Sequence, residues 1–154
     1  MSEKGGAAAF CPSSNLFLGS GLYDLRKMGD ADLRTGLASD VGGGTSLSML
    51  RTMGEAYKVL QLQHQNLPAA RSLYLATLGA AEALRLEDKI GNLLPGKEAD
   101  FIVLDAKGSD MSARRLAEAQ TPEELLFALT MLADDRHIAA TFVNGQRASG
   151  ITAR

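Results

Sequence analysis

Within Thr35-Gly36-Leu37-Ala38-Ser39-Asp40-Val41-Gly42-Gly43-Gly44-Thr45-Ser46 a short apolar run stops at a carboxylate and a triple glycine follows. From Leu47 to Gln63 the apolar residues then recur at helical spacing. Strand, tight loop and helix in that order form the repeating unit of an α/β fold. Asp40 sits at the C-terminal end of the strand, beneath a loop whose backbone can approach a ligand closely, where α/β enzymes keep their chemistry. Asp before glycines is also ordinary Asx-turn or helix-entry chemistry, and the local pattern leaves both roles open.

The flanking segments extend the same architecture. Ala7-Ala8-Ala9-Phe10-Cys11 reads as a short buried strand ended by Pro12, which cannot continue a central ladder. Ser13, Ser14 and Asn15 then form a polar loop at the same end as Asp40, where they either orient a neighbouring group or close a turn, the latter being the commoner use of these residues. Cys11, with no histidine beside it, reads as a small buried hydrophobe. Leu16 to Leu25 is punctuated by glycine and reads as irregular, Tyr23 to Met28 as a short helix, and Arg34 to Ala38 as the strand that delivers Asp40. Leu50, Met53, Tyr57 and Leu60, widened by Met49, Ala56 and Val59, give the next helix its core face, with Thr45 or Ser46 as cap.

Downstream, the pattern predicts one helix from Pro68 to about Leu86 with Ala69, Leu73, Ala76, Ala80 and Leu84 on one face. Around Glu87 the character changes to short strands. Pro95-Gly96 carries the residues of a type II turn, and Ala99 to Asp105 reads as a buried strand with acidic ends. Ala113 to Ala119 has helical character, and Thr121-Pro122-Glu123-Glu124 is a capped helix start followed by Leu125, Leu126, Leu129 and Leu132. Ile138 to Val143 enters a hairpin at Asn144-Gly145. His64 reads as a surface residue near a helix end, and His137 as a solvated loop residue.

Composition restricts the function classes. At 154 residues, 45% hydrophobic and 22% charged, the chain has the make-up of an ordinary globular protein of one domain's size. A net charge of -2 gives no footprint for nucleic acid, and neither a basic amphipathic stretch nor a membrane-spanning apolar run occurs. Met1 to Gly6 lacks the apolar core of a signal peptide, and the single cysteine excludes an internal disulfide, which fits a reducing cytoplasm. Two histidines and one cysteine fall short of the ligands of a catalytic zinc, and no His-x-His, His-Glu-x-x-His or Cys-x-x-Cys is present.

Three segments carry a resemblance. Phe10-Cys11-Pro12-Ser13-Ser14-Asn15-Leu16-Phe17-Leu18-Gly19-Ser20-Gly21, Ser39-Asp40-Val41-Gly42-Gly43-Gly44-Thr45 and Glu55-Ala56-Tyr57-Lys58-Val59-Leu60-Gln61-Leu62-Gln63 closely resemble the guanine deaminase family of the amidohydrolase superfamily. The likeness continues through Tyr74 to Gly79 and through Ile90 to Phe101. It covers nearly the whole chain but only the C-terminal part of the family's length, and a complete (β/α)₈ barrel needs roughly 250 residues.

The resemblance implies a fold class: an α/β C-terminal fragment of a metal-dependent (β/α)₈ barrel plus part of a small composite β-domain. Residues 1–86 would be the last two strand-helix units, and 87–154 would contribute strands to the β-domain, where Asp100 has a turn or capping role. It implies Asp40 as zinc ligand and proton-transfer residue, with Ser13, Ser14, Asn15, Gly42 and Gly43 as possible loop contributors to substrate binding. The histidine ligands of the zinc lie upstream of the matched part. The complete enzyme would convert guanine and water to xanthine and ammonia in the cytoplasm, with neither nucleic acid nor membrane as partner. The fragment alone would be inactive, needing the missing N-terminal part of the barrel, and its uncovered apolar faces favour a homo-oligomer. The alternatives are another zinc aminohydrolase of related heterocycles and a non-enzymatic interaction fragment.

Overall fold

Two four-residue strands, β1 (Ala7–Phe10) and β2 (Arg34–Leu37), pair in parallel, with Ala7 opposite Arg34 and Phe10 opposite Leu37. This computed structural model describes residues 5–148. Residues 1–4, which belong to the segment that argues against a signal peptide, and 149–154, the end of the expected C-terminal segment, lie outside it. Parallel pairing requires a crossover, supplied here by α1 (Pro12–Phe17) and α2 (Leu25–Asp30). The expected polar loop Ser13-Ser14-Asn15 is therefore corrected: all three lie in α1. Pro12 ends the strand as expected but also starts a helix, because at the first helical position its missing N–H leaves nothing unsatisfied.

The crossover is fastened to β2 and to the chain beyond it. Tyr23 stacks on Phe10 with ring centroids 4.5 Å apart, and its hydroxyl lies 2.8 Å from Thr35 Oγ1. Asp24 caps α2 by accepting from the Lys27 N–H at 3.0 Å. Buried Gln65 grips both ends of that cap, donating to Asp24 Oδ1 at 2.8 Å and accepting from the Arg26 N–H at 3.0 Å.

α3 (Met49–Gln61) begins at Ser48, not at the expected Thr45 or Ser46; Ser48 Oγ accepts from the Arg51 N–H, and Ser46 instead accepts from the Ser48 N–H at 3.1 Å. Its core face is the expected one: Met53, Ala56, Val59 and Leu60 are essentially inaccessible, and Leu50 is buried. The predicted single helix after Pro68 is two, α4 (Ala69–Ala76) and α5 (Leu78–Leu84), broken at Thr77 with φ -127° and ψ -97°. The Thr77 hydroxyl takes the Leu73 carbonyl at 2.7 Å while its N–H turns to Tyr74 O, so the ladder is interrupted. Gly79 then lies so close to Tyr74 that a Cβ there would stand 2.9 Å from the ring.

The rest of the chain folds back on these helices and then forms a separate sheet. α6 (Asp110–Ala117) is capped by Ser109 and α7 (Pro122–Leu132) by Thr121 as its motif predicts. α7 packs on α3 and α4. β3 (Phe101–Leu104), β4 (Ile138–Val143) and β5 (Gln146–Arg147) form an antiparallel sheet in that order. Asn144 and Gly145 both have positive φ, as the hairpin turn requires, and the Asn144 N–H donates to Asp100 Oδ1 at 2.7 Å, a turn-holding role. The expectation that Ala99 to Asp105 is a buried strand fails. Phe101, Ile102 and Val103 are 36%, 46% and 42% exposed, because the strand reaches the core only at its end, where Leu104 packs against it.

The core thus lies between the β1–β2 ladder, α3, α4 and α7, with Phe10, Met53, Leu60, Leu67 and Leu75 at its centre. Met53→Ala should lower stability to urea by about 2–5 kcal/mol, the usual range for truncating a buried methionine. Leu47→Ala, at a residue 79% exposed, should change it by less than about 0.5 kcal/mol.

Candidate functional site

Asp40 follows the end of β2 by three residues and has φ +48°, a conformation that Asp tolerates better than most residues. Its carbonyl accepts from the Gly44 N–H at 2.5 Å, and Gly42 N–H donates to Gly44 O at 3.3 Å. The three glycines meet different demands. Gly42 has φ +122°; a Cβ at Gly44 would stand 1.8 Å from Ser39 O; and a Cβ at Gly43 would stand 2.6 Å from Ser14 Oγ and 2.9 Å from Leu18 Cδ1. The loop therefore closes over α1 with backbone alone.

That closure brings Ser14 and Asp40 together. Ser14, 2% exposed, donates its hydroxyl to Asp40 Oδ2 at 2.6 Å. Asp40 itself is exposed, and its Oδ1 receives no hydrogen bond among the described residues. Ser13 and Asn15 are half-buried neighbours on α1, and neither side chain bonds Asp40 among the described residues. Of the expected loop contributors, Ser14 and Gly43 touch the carboxylate's surroundings, Gly42 shapes the loop, and Ser13 and Asn15 stand aside.

The remaining titratable candidates sort by environment. Burial, and then the negative charge of Asp40, push the Cys11 thiol up, so it stays protonated, with its sulfur 3.6 Å from Ala9 O. His64 is exposed with φ +54° just beyond α3, as expected. His137 is not a solvated loop residue: it is fully buried. Its Nδ1 accepts from the Asp134 N–H at 3.1 Å, so Nε2 carries the proton and donates to Ser112 Oγ at 2.8 Å. Gly108 lies flat against the ring, where a Cβ would come within 2.7 Å. Asp-Asp-Arg-His in sequence looks polar, and only the pairing of a three-residue turn, Asp135–His137, with α6 encloses the imidazole.

One oxygen of Asp40 is thus available to a cation, and it suits zinc as a single hard ligand. No group of three or more His, Cys, Asp or Glu side chains arranged for a metal occurs among the described residues. A cleft of about 670 Å³ between α1, α3 and α7, lined by Phe17, Arg51, Glu55, Lys58 and Asp134 among others, does not include Asp40. No helix of the described residues is long and apolar enough to cross a membrane.

The model of the amidohydrolase family matches residues 2–148. A guanine deaminase of Escherichia coli (strain K12) is 47% identical over 146 residues, which are 95% of this chain and 33% of that protein. The solved structure of E. coli guanine deaminase superposes with a TM-score of 0.95 at 45% identity, covering 98% of this chain and 36% of the other. An adenosine deaminase from Xanthomonas campestris, solved with bound zinc, superposes with a TM-score of 0.79 at 26% identity, covering 95% of this chain and 32% of the other. The chain spans about a third of the length of the relatives it matches.

Behind the His137 turn, Asp134 is held well below the usual carboxylate range, first by its hydrogen bonds from Arg136, whose Nη2 lies 2.7 Å from Oδ2. A depressed carboxylate contributes stability that is present above the unfolded value of about 4 and is lost as pH falls through the folded one. Arg136→Ala should therefore be less stable than the parent at neutral pH, with the gap narrowing in acid unfolding titrations below about pH 4. A gap independent of pH would contradict the pairing.

Proposed function

The chain belongs to the amidohydrolase family, and from that premise we propose that it supplies part of a zinc-dependent guanine deaminase, converting guanine and water to xanthine and ammonia. The observation that carries the proposal is Asp40 at the C-terminal end of a parallel strand, with one oxygen fastened and the other open. Identity to a guanine deaminase well above that to the adenosine deaminase favours guanine over other amino-substituted heterocycles.

In this proposal residues 1–86 are the last two strand-helix units of the barrel, and residues 87–154 contribute to the composite β-domain, with α6 and α7 packing back toward the barrel helices. Exposed Phe101, Ile102 and Val103 support a sheet that takes further strands from elsewhere in the longer enzyme. The remaining zinc ligands and the purine-gripping residues belong to the rest of the longer protein, which acts in the cytoplasm, whereas this chain alone would self-associate through its uncovered apolar faces.

Guanine carries its exocyclic amine on an electron-poor ring carbon, and water at neutral pH is too weak a nucleophile to displace it. Zinc, when bound, supplies the positive charge that lowers the pKa of water toward about 7. Asp40 Oδ1 is the oxygen of this chain that would hold the metal and accept the attacking water's proton. Addition of the water oxygen forms a C–O bond at the ring carbon, and the two protons of water, relayed through Asp40 and a second acid outside this chain, pass to the ring nitrogen and to the amine, so that the C–N bond breaks and ammonia leaves. Gly43 keeps a side chain away from the Asp40 carboxylate, where a Cβ would stand 3.4 Å from Oδ2.

In the complete enzyme, Asp40→Asn should lower kcat for guanine by about 10²–10⁴-fold, followed as loss of guanine absorbance and release of ammonia. The 154-residue chain alone, supplied with zinc, should show no turnover. Full activity of the Asp40→Asn enzyme would sink the role given to Asp40, and Asp40-dependent turnover by the lone chain would sink its need for the rest of the barrel.

A further inference from the structure

We infer that Ser14 is a positioning residue for Asp40: its hydroxyl fastens Oδ2 and so turns Oδ1 toward the reacting side, and Gly43 lacks a side chain to leave that hydroxyl in place. The inference rests on the proposed role of Asp40. The contact of 2.6 Å is in the range of a hydroxyl donating to an ionised carboxylate, stronger than a neutral pair.

A serine within a helix often returns its proton to the carbonyl four residues back. Ser14 lies in the first turn of α1, where the residue four back, Phe10, belongs to β1 and not to the helix, and its hydroxyl donates across to Asp40 instead. The Ser14 backbone is held in turn, since its carbonyl accepts from the Leu18 N–H at 2.9 Å and α1 starts at inaccessible Pro12. The donor is therefore fixed to the end of β1, and the acceptor to the end of β2.

Asp40 has its backbone fixed by the Gly44 N–H, which leaves only its two side-chain torsions free. The Ser14 hydrogen bond restricts both. A methyl at Gly43 would overlap the Ser14 hydroxyl and lie 3.4 Å from Asp40 Oδ2, so the loop and the serine are matched to one another. Ser14 does not touch substrate in this scheme, and its effect reaches the reaction only through the carboxylate.

The test uses the complete enzyme and reads kcat, KM for guanine, zinc retention against a competing chelator, and thermal unfolding. Ser14→Ala should lower kcat and zinc affinity by about 10–100-fold each while KM moves by less than about threefold, the pattern of a lost outer partner of a metal-holding carboxylate. Gly43→Ala should shift the same quantities in the same direction, Ser14→Thr, which keeps the hydroxyl, should recover most of the loss, and exposed Ser20→Ala should change none. Ser14→Ala with kcat and zinc affinity within about threefold of the parent, in an enzyme where Asp40→Asn is dead, would overturn the inference and leave the role of Asp40 standing. Loss of activity in Ser14→Ala that tracks a lowered unfolding temperature with no change in zinc affinity would make Ser14 structural and overturn it too. If Asp40→Asn itself leaves activity and zinc intact, the reading of Asp40 fails, and this one with it.

Discussion

The close approach of α5 to β2 is the constraint on which the rest of the structure depends. A Cβ at Gly36 would stand 2.7 Å from the Ala80 Cα, so the strand and the helix meet backbone to backbone. A ladder of two four-residue parallel strands buries too little by itself to persist in water. With α5 seated on β2 and α3 and α4 beside it, Leu37, Leu60 and Leu75 share one core, and the end of β2 acquires a fixed position. Any larger residue at either contact would move the strand that carries Asp40.

From that fixed strand end the site follows by short steps. The loop after Asp40 returns on itself through backbone hydrogen bonds, and its glycines let it close directly over α1. α1 exists because Pro12 is placed where a helix can begin, and it carries Ser14 to the carboxylate. Two strand ends that are neighbours in the ladder thus contribute a donor and an acceptor to one hydrogen bond. The segment from Phe101 onward is organised differently. It forms a sheet on which Phe101, Ile102, Val103 and Val143 remain exposed, joined to the body by Leu104, α6, α7 and the buried His137 network.

Much of this is legible in the residues, and most of what is not depends on contacts between distant segments. β1 is a strand as expected but not a buried one, with Ala7 and Ala9 exposed and only Phe10 in the core, whereas β2, α3, α7 and the Asn144-Gly145 hairpin follow from strong periodicity or turn chemistry. The break at Thr77 did not, because a threonine hydroxyl that takes its own helix's carbonyl gives no signal in apolar spacing. The burial of His137 has no local signal, since its neighbours in sequence are charged, while the groups that bury it, Gly108 and Ser112, come from another part of the chain. Ser13, Ser14 and Asn15 could not be told apart by composition. Only the direction of each side chain from α1 selects Ser14.

The sequence by itself determined the α/β class, the family and the placement of a carboxylate at a strand end beneath glycines, because strand, turn and cap preferences act over a few residues. The tertiary structure alone decided which hydroxyl meets Asp40, which oxygen is left open and which histidine is enclosed. Those outcomes depend on distances between segments tens of residues apart, set by packing such as that of Gly36 on Ala80, and no local pattern carries that information.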